Sequence, residues 1–158
     1  MKNTQISEVN EIQIVSTRLV RESTNELYKV SSPFDVVDYC IRELQLNART
    51  NENMVAFCMN TKNRIVSVYH VSAGSVNETI LDVKGILRAA ILSNSSRIII
   101  VHNHPSGDPE PSMEDIQVSL KLQEACRMMD IALLDSITVG DGYVSLKERD
   151  LLNREEND

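Results

Sequence analysis

Two histidines and one aspartate in a single stretch of the sequence could together bind a metal ion. His102 and His104 are two residues apart at the end of a predicted strand, so their side chains emerge on the same face. Asp115 lies in the first turn of a predicted helix capped by Ser112, where its carboxylate could face back toward the strand end. Two imidazole nitrogens and one carboxylate oxygen are ligands that Zn²⁺ takes in catalytic sites, with water in the fourth position. The sequence therefore predicts a metal site that could support hydrolysis.

The same residues also have structural explanations. Ser112 and Asp115 form a near capping box, in which Asp replaces the usual Glu or Gln, and acids at that position favour the helix dipole. Capping and catalysis are compatible, so this explanation does not remove either residue from the site. The remaining histidine, His70, lies inside a predicted strand and is interpreted as a packed residue rather than as a ligand.

A zinc hydrolase also needs a general base to manage the proton of the bound water. Spacing alone leaves four candidates open: Glu52, Glu78, Glu110 and Glu124. Glu52 immediately precedes the apolar segment Met54–Met59, so it could reach a site at the end of a neighbouring strand.

The elements that must position these residues follow from apolar periodicity and turn signals. Four consecutive β-branched residues, 98–101, indicate a central strand that is buried on both faces. The predicted order is an extended arm or strand over 12–20, a helix from Ser32–Pro33 to about Leu46 that buries Val37, Cys40, Ile41 and Leu44, a hairpin of Met54–Met59 and Arg64–Val71, a short strand near Thr79–Leu81, a helix over about 83–93 capped by Asp82, a strand over Arg97–Val101, a helix from Ser112 to about Met129, strands Ile131–Val139 and Tyr143–Ser145, and a last helix Leu146–Leu152 capped by Ser145 with Glu148. This order of hairpins and helical crossovers predicts an α/β fold, a mixed β-sheet sandwiched by helices.

Composition limits the class of protein. The chain has 158 residues, 42% of them hydrophobic, which is enough for one domain to build a core without disulfides or a structural metal. Three separate cysteines without a C-x-x-C pair favour a reducing compartment. The sequence shows no membrane span or secretory apolar region, so we expect a cytoplasmic protein. A net charge of −7 argues against a large nucleic-acid footprint.

The site residues resemble a known family. His102-x-His104, seven residues, Ser112, two residues and Asp115 are similar to the JAMM (MPN+) metalloprotease motif. The fuller string from His102 to Ser112, His-Asn-His-Pro-Ser-Gly-Asp-Pro-Glu-Pro-Ser, resembles the RadC-type JAB domain, and the similarity extends from about Ser32 to Leu152. We therefore divide the chain into an N-terminal strand or extended arm (1–31), a JAB/MPN domain (32–152) and a frayed tail (153–158).

The resemblance implies a cytidine-deaminase-like α/β/α core and a zinc-dependent peptidase or isopeptidase. It implies that His102, His104 and Asp115 bind zinc, that Glu52 is the general acid/base, and that Ser112 helps to stabilise the oxyanion. The implied reaction is attack of metal-activated water on an amide or isopeptide carbonyl, with Glu52 passing the proton to the leaving amine. The implied partner is a peptide or isopeptide substrate of unknown identity; direct contact with nucleic acid is not expected.

The chain departs from the family pattern in two places and leaves a second function open. Val83-Lys84 replaces the usual Pro-Arg before the middle helix, and Asp135-Ser136-Ile137 replaces Asp-His-x-Ile, so any role of that histidine is absent. The alternative is a non-catalytic metal-binding module linked to DNA repair or mobile elements. A zinc nucleobase deaminase would need H-x-E with P-C-x-x-C, which the sequence lacks. The hairpin that contains Met54–Met59 could also present an edge strand to an extended peptide.

Overall fold

The computed structural model describes residues 27–71 and 82–153, and the elements named below lie within those ranges. In chain order they are α1 (Pro33–Arg42), a 3-10 helix (Leu46–Ala48), β1 (Met54–Met59), β2 (Ile65–Val71), α2 (Val83–Leu92), β3 (Arg97–Asn103), α3 (Met113–Arg127), β4 (Ala132–Val139) and β5 (Tyr143–Ser145). The predicted hairpin and the predicted strands over 97–101, 131–139 and 143–145 are confirmed to within two residues at each end.

The five strands form one mixed sheet in the order β2-β1-β3-β4-β5. β1 is antiparallel to both β2 and β3, whereas β3 and β4 are parallel and are joined through α3. β5 closes the order as an antiparallel partner of β4. β3 is therefore central, which explains why residues 98–101 carry no polar side chain.

Helices cover both faces of the sheet, as the sequence predicts. α1 packs on one face, where Val36, Val37 and Cys40 join a buried cluster with apolar residues of β1, β3 and β4. α2 and α3 pack on the other face, where Ile86 and Leu122 join the cluster around β3. Side chains alternate along a strand, so the β3 face that carries Ile98 and Ile100 also carries His102 and looks toward α3.

The first helix is shorter than the sequence predicts. It ends at Arg42 instead of near Leu46, because Gln45 adopts the left-handed region with φ 50° and turns the chain away from the helix axis. Leu46 is still buried, but it belongs to the 3-10 helix that follows. Ile41 was predicted on the buried face and is 39% exposed.

The predicted last helix over Leu146–Leu152 is wrong, because residues 146–150 form turns. Ser145 Oγ does accept the Glu148 N–H at 3.0 Å, as in a capping box. Its own proton, however, goes to the buried carboxylate of Asp135 at 2.6 Å, and the Lys147 N–H also donates to that carboxylate at 3.0 Å. The carboxylate therefore fixes this segment against β4 as a turn.

The prediction that the Met54–Met59 strand and its hairpin form an edge of the sheet is wrong for Met54–Met59 itself, although the other strand of the hairpin does lie at the edge. β1 pairs with β2 on one side and with β3 on the other, so β2 is the outer strand of the described sheet. The strands predicted over 12–20 and 79–81 lie outside the described residues. In the described part of the predicted N-terminal arm, Lys29 forms an antiparallel bridge with Arg64 of the hairpin. Among the described residues, no helix is long and apolar enough to cross a membrane.

Candidate metal centre

The two histidines of the site are fixed by the central strand. His102 and Asn103 are the last residues of β3, where they pair with Thr138 and Val139 of β4. His104 follows directly, and its N–H donates to the Val139 carbonyl at 2.8 Å, which extends the pairing by one residue. Both imidazoles are shielded, with side-chain exposures of 6% for His102 and 14% for His104. The sheet therefore provides a rigid base for two nitrogen donors.

The loop between β3 and α3 returns the chain to the same end of the sheet. Gly107 has φ +86°, a value that suits glycine, and its carbonyl accepts the Asp141 N–H at 2.7 Å. The loop passes so close to Gly140 that a Cβ there would lie 2.2 Å from the Gly107 carbonyl oxygen. This close packing anchors the loop, which ends at Ser112 where α3 begins.

The first turn of α3 presents Asp115 to the histidines. Ser112 is the N-cap, and its Oγ accepts the Asp115 N–H at 3.1 Å. Asp115 Oδ2 in return accepts the Ser112 N–H at 2.7 Å, so the predicted capping box is complete. This reciprocal pair of bonds fixes the carboxylate, whose Oδ1 lies 3.3 Å from His102 Nε2.

The three donor groups converge at distances that fit one metal ion. His102 Nε2 and His104 Nε2 are 3.2 Å apart, and His104 Nε2 is 3.5 Å from Asp115 Oδ2. With zinc–ligand bonds of about 2.0–2.2 Å, neighbouring ligand atoms of a tetrahedral site lie about 3.3–3.6 Å apart. With one donor atom from each residue, the three atoms lie within 4.8 Å of one another, so the cluster could hold a metal ion. It is the group of three potential ligands found among the described residues.

A hydrogen bond on the far side of the His104 ring leaves its Nε2 available as a metal ligand. Its Nδ1 lies 2.8 Å from the Asp108 carbonyl oxygen, which can only accept, so Nδ1 carries the proton. Nε2 of the neutral ring then has its lone pair free for a metal. His102 Nδ1 is buried and has no hydrogen-bond partner among the described residues. His102 is thus held by the sheet rather than by a hydrogen bond to its outer nitrogen.

The Asp115 carboxylate is strongly stabilised in its charged form. Burial raises the pKa of this carboxyl, but hydrogen bonds from His102 and Ser112 lower it. The lowering effects are larger, so the pKa of Asp115 lies well below its ordinary value. A charged oxygen donor at neutral pH is what a divalent cation requires.

Ser112 lies beside the candidate metal ligands, but its hydroxyl is hydrogen-bonded to Asp115. Its Oγ is 2.6 Å from Asp115 Oδ2, and because a charged carboxylate can only accept, the hydroxyl proton goes to Asp115. The Ser112 side chain is exposed. In this arrangement Ser112 orients a candidate ligand, and oxyanion stabilisation would require its proton to turn away from Asp115.

The structure separates the described candidates for a general base. Glu110 forms an ion pair with Arg149 at 2.5 Å on the surface of the loop. Glu124 is nine residues beyond Asp115 on α3, a distance of about 13 Å along the helix. Glu52 is exposed and lies two residues before Met54, which pairs with His102. It is therefore the described candidate closest in register to the histidines. Glu78 lies outside the described residues.

Three further polar residues support the site and were missed in the sequence. Asn103, between the two histidines, is buried and binds the backbone on either side of Glu52. Ser119 and Ser136 form a buried hydroxyl pair at 2.8 Å beneath α3, and Ser119 donates to the Asp115 carbonyl at 2.7 Å. Asn103 could have been noticed from its place inside the His-x-His pair, whereas the contact between Ser119 and Ser136 depends on the packing of α3.

Comparison with known proteins gives consistent matches. The model of the family described as "RadC-like JAB domain" matches residues 30–151. A UPF0758 protein from Roseiflexus castenholzii is 38% identical over 138 residues, which is 87% of this chain and 58% of that protein. A UPF0758 protein from Caldanaerobacter subterraneus is 39% identical over 133 residues, covering 84% and 56% of the two chains. One from Methanosarcina mazei is 42% identical over 121 residues, covering 76% and 52%. The chain thus spans a little over half the length of these relatives.

Proposed function

The chain belongs to the RadC-like JAB domain family, and on that premise we propose that it is a zinc-dependent hydrolase of the peptidase or isopeptidase type. The family and the cluster of His102, His104 and Asp115 fit a metal-dependent hydrolase. Zinc as the ion, and an amide or isopeptide bond as the target, are our assignment.

The observation that carries the proposal is the convergence of two Nε2 atoms and one carboxylate. The two Nε2 atoms are 3.2 Å apart, and each lies within 3.5 Å of an oxygen of the Asp115 carboxylate, Oδ1 for His102 and Oδ2 for His104. Three protein donors of this kind leave one position of a tetrahedral zinc site for a non-protein ligand. Nitrogen and oxygen donors of this kind favour zinc over magnesium or calcium, which prefer all-oxygen sites.

The chemistry of such a centre divides between the ion and the chain. Zinc held here would supply a water molecule made acidic enough, with a pKa near about 7, to attack a carbonyl at neutral pH. Glu52 would accept that proton on its carboxylate and deliver it to the leaving amine nitrogen. Ser112 would orient Asp115 and could turn its hydroxyl toward developing negative charge; losing one such donor typically costs about 10²–10³ in rate.

The substrate class follows from charge and chemistry. A net charge of −7 does not favour a polyanionic backbone, so a peptide or isopeptide is the better partner than nucleic acid.

The zinc content of protein purified without a histidine tag tests the metal assignment. We expect about one zinc per chain in the wild type and loss of that zinc in His102→Ala/His104→Ala. The matched control is His70→Ala. His70, which the sequence predicts as a packed residue, is instead exposed on β2, and it pairs with Val55 rather than with Met54, the partner of His102. The control should keep its zinc. Equal zinc in the wild type and in the double variant would contradict the proposal.

Glu52→Gln tests the catalytic role separately. It removes the proton-accepting oxygen but none of the three ligands, so zinc content should stay at the wild-type value. Hydrolysis of any peptide or isopeptide substrate that the wild type cleaves should fall by about 10²–10⁴. Full activity of Glu52→Gln would support a metal-binding module without this catalytic step.

A further inference from the structure

Asn103 binds the segment that carries Glu52 on both sides. Asn103 is 2% exposed, and its Oδ1 accepts the Asn53 N–H at 2.8 Å. Its Nδ2 donates to the Asn51 carbonyl at 3.2 Å. Its backbone N–H donates to the Asn53 carbonyl, also at 3.2 Å. One buried side chain therefore fixes the two peptide groups that flank Glu52.

These contacts lie on the opposite side of the chain from the candidate ligands. Met54 is the register partner of His102, and the bond from the Asn103 N–H to the Asn53 carbonyl continues this antiparallel pairing. Opposite residues in such a pair share a face, and alternate residues along a strand share a face. The continued register places Glu52 on the face of His102 and His104, and places Asn103 on the other.

We propose that Asn103 is a positioning residue that holds Glu52 beside the metal centre by binding the backbone of Asn51 and Asn53. The inference rests on the proposed function, because it assigns Asn103 to the same reaction. Asn103 touches neither the metal ligands nor the reacting atoms through its side chain, so its effect reaches the site only through Glu52.

The need for such a residue follows from the local structure. Residues 51–53 lie outside β1, and Glu52 is exposed, so packing does not restrain its side chain. The strand pairing reaches this segment through one backbone bond, from the Asn103 N–H to the Asn53 carbonyl, and the Asn53 side chain adds one local bond to the Asn51 carbonyl. An asparagine side chain can both accept from one N–H and donate to one carbonyl. Aspartate of nearly the same shape could accept but not donate, and leucine could do neither. The side-chain amide of Asn103 can therefore bind both the Asn53 N–H and the Asn51 carbonyl.

Amide hydrogen exchange in the metal-free protein tests the contact itself. Asn103→Leu should speed exchange of the Asn53 N–H by about tenfold, since its side-chain acceptor is lost. Exchange at Ile137 in β4 should not change, which would show that the sheet remains intact. Asn103→Asp keeps the acceptor and should preserve the protection of Asn53. If Asn103→Leu does not fold, Asn103→Ser provides the same test, because its short hydroxyl cannot reach both backbone groups.

Paramagnetic NMR with Co²⁺ in place of zinc tests the consequence for the site. In the wild type the Glu52 carboxylate should be strongly relaxed by bound Co²⁺, whereas Asn103→Leu should lose most of that relaxation at Glu52 and keep it at the ring of His104. The matched control is Asn53→Ala, which removes a different asparagine side chain, bonded to the Asn51 carbonyl at 2.7 Å, and leaves both bonds of Asn103 in place. The control should stay close to the wild type.

The outcomes separate this inference from the proposed function. Wild-type exchange at Asn53 in a folded Asn103→Leu variant would overturn the inference whether or not metal binds. Unchanged relaxation of Glu52 in that variant would overturn it while leaving the zinc site intact. Failure of the wild type to bind Co²⁺ or zinc would instead overturn the proposed function, together with the part of the inference that concerns the metal.

Discussion

The N-termini of α1 and α3 share a sequence pattern and one capping hydrogen bond, but they face different surroundings. Both begin Ser-x-x-Asp, at Ser32–Asp35 and at Ser112–Asp115, and in both the aspartate Oδ2 accepts the N–H of the N-cap serine, at 2.8 and 2.7 Å. Asp35 Oδ2 also accepts the Ser31 N–H, at 2.7 Å. Asp115 instead turns Oδ1 toward His102.

The difference shows that the aspartate of a capping box becomes a candidate metal ligand only when its helix begins beside other ligands. α3 follows β3 directly, and the loop between them returns the N-terminus of α3 to the end of the strand that carries the histidines. α1 packs on the opposite face of the sheet, among apolar residues. The bond from the N-cap N–H to the aspartate carboxylate is shared, but its outcome is structural in α1 and a candidate functional one in α3.

The largest effect should come from removing each aspartate. Asp115→Asn deletes a charged ligand and should weaken zinc binding by more than the roughly 10–100-fold typical of losing an outer partner. Asp35→Asn changes the same position of the other capping box and should leave zinc affinity unchanged. Competition with a chelator of known affinity measures both. Similar losses in the two variants would mean that the carboxylate acts through helix stability rather than as a ligand.

The two N-cap serines should differ by less. Ser112→Ala removes the hydroxyl that donates to Asp115 Oδ2, so zinc affinity should fall by about 10–100-fold. It also removes a cap, at a cost of about 1 kcal/mol in the free energy of unfolding. Ser32→Ala should affect stability alone. Ser112→Thr keeps a hydroxyl and should restore most of the affinity; a Thr variant as weak as Ala would count against the orienting role.

The sequence predicts residue types and elements where the signal is local. His102, His104 and Asp115 follow from spacing on a strand end and a helix start, and β3 follows from its run of β-branched residues. The end of α1 is mispredicted because Gln45, a residue without glycine's freedom, adopts the left-handed region. A glutamine gives no sequence signal for a turn of this kind.

The remaining errors and omissions depend on contacts between distant parts of the chain. Ser145 gives its proton to Asp135, ten residues earlier, and so begins a turn where a helix is predicted. The choice among four glutamates depends on the pairing of β1 with β3, which brings residue 54 beside residue 102. Spacing along one segment cannot reveal such pairing.

A smaller effect, on the free energy of unfolding, is expected from a substitution one turn into α3, where the two helices differ again. Four residues after Asp115, Ser119 bonds to the Asp115 carbonyl and to Ser136, whereas four residues after Asp35, Tyr39 packs edge-on against Phe57 at 5.6 Å. Ser119→Ala should lower the free energy of unfolding by about 1 kcal/mol, because it leaves the buried Ser136 hydroxyl without this partner. The paired variant Ser119→Ala/Ser136→Ala should cost less than the sum of the single changes in urea unfolding. Additive losses would show that the two hydroxyls are not coupled.

The smallest effect concerns acid stability at the start of α1. Hydrogen bonds from the Ser31 N–H, and then from Ser32, outweigh burial and lower the pKa of Asp35 from its ordinary 3.8. The fold thus favours the charged form, and this contribution is fully present above the unfolded value and is lost as the pH falls through the lower folded value. Asp35→Asn should therefore cost about 0.5 kcal/mol at neutral pH, as expected for one charge at a helix N-terminus. Urea unfolding of both proteins, at neutral pH and well below the ordinary pKa, measures the difference. A stability difference of the same size at both pH values would show that the cost does not depend on the charge of Asp35, and the comparison with Asp115 would then lose its electrostatic basis.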